Sequence, residues 1–437
     1  MNYLIQNGRV IDPANKVDEI ADVLIEGGKV SAVGKGLGAS GAESIDAKGK
    51  IIAPGLVDMH AHLREPGRED KETVRTGTCA ALRGGFTTVA CMPNTEPALD
   101  NVEIVRALQV IIRRDALCNV AIVGAITEGR AGKKLTDIAG LKEAGVVALS
   151  DDGASVEDGA LMLEALKKAR ASELLVIAHC EDTKLSGGGV INKGFISTKM
   201  GLRGISRESE YAMVKRDIEL AKKAQGAIHI AHVSCRESVE IIRQAKKDGA
   251  RVTAETAPHY FTLTEDCCVT YDTNTKMNPP LRTKDDVAAI KEGLADGTID
   301  AIATDHAPHT DSEKDVEFDH APFGIIGLET ALSLTAMELV ASGVLSWSET
   351  IARLSANPAR ILGIGKGGIA PGAPADLIII DPDKEYVYAR ESIASKSKNS
   401  PFVNWRLKAC VTHAMVGGKI MLEPGHEGEH GEVKACE

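Results

Sequence analysis

Two rhythms of hydrophobic and polar positions divide the chain. Near the amino terminus, YLIQNGRVI and DVLIEGGKVSAVG alternate β-forming residues and break at Asn-Gly and Gly-Gly. That pattern predicts short strands joined by tight turns. The carboxy-terminal stretch returns to it in ADLIIIDP and KACVTHAMVGGKIML. Residues 1–52 and 363–437 are therefore expected to form one small flanking β-sandwich domain built from both termini.

Between them, over residues 53–362, the rhythm changes. Apolar runs of strand length alternate with amphipathic stretches of helical length. The runs are GLVDMHAHL, TTVACMPN, VAIVGAIT, VVALSDDG, LLVIAHCED, AIHIAHVS, RVTAETAPHY and AIATDHAPH. Stretches such as DKETVRTGTCAALRGG and SRESEYAMVKRDIELAKKA follow them. Strands buried on both faces read as continuous apolar runs. Strand-then-helix units in series predict an α/β fold, here a closed (β/α)8 TIM barrel. No repeat of residue identity accompanies this, so the repetition is architectural. Every run ends in polar residues. In such barrels the site lies at the carboxyl ends of the strands, so these endings should converge.

Composition narrows the picture without changing it. A chain of 437 residues accommodates one barrel and a smaller partner domain. Hydrophobic residues are 43% and charged residues 26%, as in ordinary globular proteins. Aromatics are only 3%, which leaves the core to Ala, Val, Ile and Leu. The net charge of -11 argues against a nucleic-acid partner. The start, MNYLIQNGRVID, has no basic segment followed by an apolar run, and no stretch is long and apolar enough for a membrane span. No signal peptide or membrane association is expected, and a cytoplasmic location is. Nine cysteines without a CxxC pair, among them Cys91 and Cys118 in apolar runs, read as reduced core residues. The adjacent Cys267 and Cys268 offer a redox pair, but reduced thiols are the commoner case. The tail GHEGEHGEVKACE is expected to be mobile. No GxGxxG follows an early strand, which removes a dinucleotide-binding reading.

Candidate chemistry begins at His60 and His62 in DMHAHLREPG. Residues two apart on a strand face the same way, as two ligands of one metal must. Alone, this His-X-His is equally a pair of core or surface histidines. Other strand endings change its weight: Asp151 and Asp152 in SDDG, His179 in AHCED, His232 in AHVS and Asp305 in TDHAPH. Four histidines and two carboxylates at strand ends can hold two divalent ions, with one carboxylate bridging them. Which of Asp151 and Asp152 faces inward depends on a strand phase that the residues do not fix. His229, three before His232, should face the other way, and His306 should point away from Asp305. His259 is ambiguous. His320, His413, His426 and His430 belong to loops, the β domain or the tail.

DMHAHLREPG, CMPNT, SDDG, AHCED, HVS, MNPPLR and TDHAPH, in that order, resemble the class I dihydroorotases of the amidohydrolase superfamily. That family interconverts N-carbamoyl-L-aspartate and (S)-dihydroorotate in de novo pyrimidine biosynthesis. The resemblance implies two Zn2+ ions per subunit. His60 and His62 would bind one and His179 and His232 the other, with Asp152 bridging. Asp305 would complete the first site and act as the catalytic proton shuttle, serving the hydroxide that the metals supply. His62, Arg64, Asn94 and His309 would hold the substrate carboxylate. Asn278 and the backbone of Phe323 and Gly324 would contact the ring. Chemistry agrees in part: a cyclic amide is a poor electrophile that metals can polarise, and an arginine fork suits a carboxylate. The resemblance also raises a homodimer and an association with aspartate transcarbamoylase, neither of which any residue pattern encodes.

The nearest rivals are dihydropyrimidinases, hydantoinases and allantoinases. They typically bridge their metals with a carboxylated lysine at the fourth strand, where this chain has VVALSDDG and no lysine. A non-catalytic scaffold relative would be expected to have lost ligands that are present here. Residues 310–323, TDSEKDVEFDHAPF, read equally as a lid over the barrel mouth or as a solvated crossing.

Overall fold

The computed structural model describes residues 1–424 and 432–433. Eight strands lie side by side in sequence order: Leu56–Ala61, Phe86–Cys91, Asn119–Gly124, Ala148–Leu149, Leu175–Ala178, Ile228–Ile230, Val252–Thr256 and Ala301–Ile302. Every ladder between them is parallel. The first and last strands meet at the carboxyl rim, where Ala61 bridges His306 in parallel. There the His62 N–H donates to the His306 carbonyl at 2.9 Å. Thus the predicted (β/α)8 barrel forms from the eight predicted runs.

The apolar runs are explained by burial on both faces. Leu56–Ala61 and Phe86–Cys91 are buried at every position. Phe86, Leu149, Val176 and Ile302 pack outward with the helices. Met59, Ala90, Ala148, Ile177 and Ala303 form a separate cluster. Ile177 pairs in register with His229, which places this second cluster in the lumen. A lumen built largely from alanine leaves room for the polar side chains above it.

Local signals fix the helices. Val74–Arg83 starts at Thr73, whose hydroxyl accepts from the Thr76 N–H while the Thr76 hydroxyl accepts from the Thr73 N–H. Glu208–Ala224 carries Glu208 and Glu210 in its first turn and Lys222 and Lys223 in its last, which suits the helix dipole. A small parallel pair, Ile191–Asn192 with Gly204–Ile205, interrupts the connection before that helix. No periodicity announced it. Among the described residues, no helix is long and apolar enough to cross a membrane.

The flanking sheet comes from both ends of the chain. Its order is Glu432–Val433, Lys419–Glu423, Arg406–Val416, Leu377–Val387, Ile51–Pro54, Tyr3–Asp12, Val17–Glu26 and Lys29–Gly34, with Glu43–Asp46 also paired to Tyr3–Asp12. The two halves join where Leu377–Ile380 pairs antiparallel with Ile51–Pro54. Period-two alternation gives this junction strand two roles. Leu377 and Ile379 enter the sheet's own core with Ile5, Val23 and Ile52. Ile378 and Ile380 enter the barrel core with Leu56 and Phe86. Gly85 lets the two bodies approach: a Cβ there would lie 2.8 Å from Val411 Cγ2, and its φ is 87°.

Among the described cysteines, seven are free, including Cys267 and Cys268. Cys79 is disulfide-bonded, which corrects the expectation of an all-reduced set. Cys79 is 3% exposed on Val74–Arg83, so burial alone did not distinguish a bonded from a free sulfur. His426 and His430 lie outside the described residues.

Ile378 is fully buried at the seam between sheet and barrel. Ile378→Ala is expected to destabilise the fold by about 2–5 kcal/mol, read as a lower urea midpoint. An unchanged midpoint would remove the seam from the account.

Candidate active site

The first and eighth barrel strands are tied by a buried carboxylate as well as by the rim bridge. Asp58 accepts from the Thr304 N–H at 3.0 Å, from the His60 N–H at 3.2 Å and from the Thr304 hydroxyl. Burial pushes Asp58 up to about 6, against the pull of these donors. The tie brings His60 and His62 beside Asp305. The strand itself ends at Ala61, so strand alternation does not place Arg64. Arg64 reaches the rim through a left-handed backbone, φ 59°, and its Nε donates to the Pro308 carbonyl at 3.2 Å.

The polar strand ends converge. Asp152 lies 3.2 Å from His60 Nε2, 3.5 Å from His62 Nε2, and 3.6 Å from both His179 Nδ1 and His232 Nε2. Asp305 lies 3.1 Å from His62 Nε2 and 3.6 Å from His60 Nε2. His232 and Asp305 hold positive φ angles of 36° and 48°. Such backbone costs of order 1–3 kcal/mol for a non-glycine residue and gathers at functional sites. The turn at His232 also breaks the alternation used to place His229. His229 is not turned away: its Nε2 lies 3.3 Å from Glu255 Oε2, beneath the convergent donors. The choice between adjacent aspartates is settled by hydrogen bonds. Asp151 is taken by the N–H groups of Ile126 and Thr127, at 2.8 and 3.1 Å, and by the Thr127 hydroxyl.

Outer partners set the tautomers. His60 Nδ1 donates to Glu255 at 2.7 Å and His62 Nδ1 to the Asn94 carbonyl oxygen at 2.7 Å. These partners only accept, so each Nδ1 carries a proton and each Nε2 is the nitrogen turned toward Asp152 and Asp305. His179 Nε2 faces Glu181 at 3.3 Å, which leaves its Nδ1 toward Asp152. Burial alone would raise the Asp152 pKa. The charge of His60 first, then His179 and His232, outweigh it and hold the carboxyl well below its usual range. Asp305 is lowered in the same way, with His62 the first opposing partner. Glu255 settles at about 2, where His229 and His60 overcome burial. Sequence reading singled out neither Glu255 nor Glu181: one sits inside an apolar run and the other in the polar ending of the run LLVIAHCED.

The donor set fits a metal cofactor. His60 Nε2 is buried without a hydrogen-bond partner, a costly state that a cation would relieve. Ligand atoms of His60, Asp152 and His232, and likewise of His60, His62 and Asp305, lie within 4.8 Å of one another. Mixed imidazole and carboxylate ligation suits zinc and similar divalent ions.

Every site residue expected from the sequence except His60 lines one cavity of about 360 Å³, and His60 sits fully buried at its floor. Asn278 Nδ2 donates to Glu181 at 3.0 Å, which leaves Oδ1 as its acceptor. Burial, with Arg64 and two lysines nearby, drops His309 to about 2 and keeps it neutral. Lys71 donates to His309 Nδ1 at 3.2 Å, so the His309 Nε2–H goes to the Phe323 carbonyl at 2.8 Å. His309 thus builds the wall that carries Phe323. Arg130 and Gly153 also line the cavity, and no sequence signal marked them. His306 bonds Glu72 at 3.2 Å, away from the cavity. His259 packs against Tyr260, and burial lowers it to about 4; it does not line the cavity.

Residues 310–323 are laced down along their length. Glu313 takes Lys71 at 2.8 Å and Arg68 at 2.9 Å. The Lys314 ammonium donates to the carbonyls of Thr273 and Pro322, at 3.1 and 2.8 Å. Lys276 donates to the Asp319 carbonyl at 3.1 Å and stands 4.7 Å over the Phe323 ring. Of the two readings of this segment, the contacts favour a fixed wall.

A barrel whose strand ends gather histidines and aspartates around a buried floor defines a hydrolase of the amidohydrolase superfamily. The family model described as "Dihydro-orotase-like" matches residues 49–238. The dihydroorotase of Elusimicrobium minutum is 56% identical over 97% of this chain and 98% of its own length. That of Geobacter metallireducens is 52% identical over 97% of this chain and 100% of its own. Among solved structures, L-hydantoinase (dihydropyrimidinase) from Arthrobacter aurescens superposes with a TM-score of 0.88 at 24% identity, covering 99% of this chain and 97% of that one. D-hydantoinase from a Bacillus sp. superposes with a TM-score of 0.86 at 25% identity, with coverage of 99% and 97%. The chain belongs to the dihydroorotase family.

Glu313→Ala removes the anchors to Lys71 and Arg68. Limited proteolysis is expected to cut within 310–323 faster than in the parent. An unaltered cleavage pattern would show that the other anchors suffice.

Proposed function

We propose that this cavity closes N-carbamoyl-L-aspartate to (S)-dihydroorotate with loss of water, and reopens the ring by the reverse path. The carrying observation is that Asp152 and Asp305, four imidazoles, Arg64 and Asn94 meet in one cavity. Full-length similarity to dihydroorotases supports the same reaction, that of a hydrolase acting on a cyclic amide.

His60, His62 and Asp305 would hold one zinc-like ion, His179 and His232 a second, and Asp152 would bridge them. When bound, such a pair polarises a carbonyl and generates a nucleophile from water near neutral pH. The chain's own groups supply the rest. The guanidinium of Arg64, buried among Asp305, Asp152 and Glu313, is lowered only to about 10 and stays charged at neutral pH. It offers paired N–H groups to the substrate carboxylate. Asn94 gives its carbonyl oxygen to His62 and so keeps Nδ2 for the same carboxylate. The free Oδ1 of Asn278 suits a ring N–H. In ring opening, water adds to the ring carbonyl carbon and the carbon–nitrogen bond breaks. Asp305 takes the water's proton on a carboxylate oxygen and returns it to the departing nitrogen. In ring closure the ureido nitrogen attacks the side-chain carboxyl, and the proton moves the other way.

The reading separates this chain from hydantoinases, whose fold it shares. A carboxylate substrate needs the cation at Arg64, and the turn after the fourth strand here carries Asp152. Hydrolysis of dihydroorotate, measured beside dihydrouracil, hydantoin and allantoin, is expected to be fastest by orders of magnitude. A preference for any uncarboxylated ring would overturn the assignment. On the same sample, metal analysis is expected to find two divalent ions per chain; a folded, unchelated sample with none would reject the metal assignment.

Asp305→Ala is expected to lower turnover by at least about 10²-fold, the scale of a lost general acid–base group, while circular dichroism stays that of the parent. Turnover within a few-fold of the parent would remove Asp305 from the proton path.

A further inference from the structure

Arg64 is not the only guanidinium at the cavity. Arg130, in the loop after the third barrel strand, also lines it. Its Nε is buried and has no hydrogen-bond partner. Among the described residues, no carboxylate forms an ion pair with it. Two nearby cations are matched: Arg68 has Asp70 and Glu313, and Lys71 has Glu313. Asp151 feels its charge, but a guanidinium partly withdrawn from water without an anion in contact is costly. The cost is relieved if an anion arrives from outside.

The loop holds Arg130 in that position by design of its backbone. Gly129 and Arg130 are both left-handed, with φ of 59° and 56°. The Gly129 N–H donates to Asp100 at 2.7 Å, and the Glu128 N–H to the Lys134 carbonyl at 2.9 Å. The Thr127 hydroxyl donates to Asp151 and accepts from the Gly132 N–H at 2.9 Å. Asp151 adjoins Asp152, so the loop and the metal-facing carboxylate are braced on one segment.

Its direction is set by a neighbour with no side chain. The position a Cβ would take on Gly153 lies 3.7 Å from Arg130 Nη2 and 3.8 Å from Asn94 Nδ2. Two donors therefore flank one point, and the absence of a side chain at Gly153, itself at φ 74°, keeps the space between them open.

We propose that Arg130 is a further substrate-binding residue, which together with Asn94 recognises the carboxylate that stays outside the reacting centre. The proposal rests on the reading of the cavity given above. Arg130 then adds specificity: a carboxylate-bearing ring satisfies its charge, whereas a neutral cyclic amide leaves it unpaired.

The test uses the metal-loaded full chain and steady-state kinetics with dihydroorotate and N-carbamoyl-L-aspartate. Arg130→Asn removes the charge but tolerates the left-handed backbone, Arg130→Ala removes the side chain, and Arg130→Lys keeps a charge without the fork. Loss of a contact made equally in ground and transition states raises KM alone, so Arg130→Asn and Arg130→Ala should raise KM about tenfold or more with kcat within about threefold. Arg130→Lys should recover part of that loss. Melting curves matching the parent would show that the fold is intact. KM within twofold of the parent in both uncharged variants, or a fall in kcat with KM unchanged, would overturn the proposal. So would a lysine variant no better than alanine. If the parent itself fails to turn over dihydroorotate, the functional reading falls; if the parent turns it over and Arg130→Asn equals it, only the role of Arg130 falls.

Discussion

The tie between the first and eighth barrel strands is the constraint on which the rest depends. Backbone pairing across that seam amounts to a bridge at Ala61 and His306. Buried Asp58, bonded to Thr304 and to the backbone of His60, completes the closure. Without it, His60 and His62 would stand at one edge of an open sheet and Asp305 at the other. Closing the ring turns residues 243 positions apart, His62 and Asp305, into neighbours at 3.1 Å.

Closure then creates an electrostatic problem that the site solves from below. Several charged or chargeable groups share a dry floor, where an unpaired charge is costly. Each imidazole facing the cavity from the first and fifth strands has an outer acceptor: Glu255 for His60, Asn94 for His62, Glu181 for His179. These partners fix the ring orientations, and so turn the other nitrogens toward Asp152 and Asp305. Glu255 in turn leans on His229. Such outer partners typically carry 10–100-fold in metal affinity. The cavity mouth is stiffened by the same means, through buried lysines that satisfy the carbonyls of residues 310–323 instead of pairing only with acids.

The flanking sheet reaches the site only indirectly. Its junction strand presents Ile378 and Ile380 to the barrel and Leu377 and Ile379 to its own core. One strand thereby fastens both chain ends to the wall of the barrel, far from the reacting centre. A strand with two buried faces must be apolar throughout, which is why Leu377, Ile378, Ile379 and Ile380 follow one another without a polar residue.

Periodicity and strand-end polarity were enough to read the barrel, its eight strands, the sheet made from both ends and the histidines and aspartates at the strand ends, while the substrate-side residues came only from the family resemblance. Those features are local: a run buried on both faces must be apolar, and its last residues must be polar if they meet a cavity. Tertiary structure decided what depends on neighbours distant in sequence. It chose Asp152 over Asp151, because Thr127 and Ile126 claim the other carboxylate. It turned His229 into a support for Glu255, because the left-handed backbone at His232 interrupts the alternation of faces. It placed Arg64 by a turn after the strand, engaged Cys79 in a disulfide, and brought Arg130 to the cavity from a loop that no sequence signal marked. None of these could be read along the chain, since a side chain's direction beyond a strand's end is set by backbone angles and partners that only the closed barrel supplies.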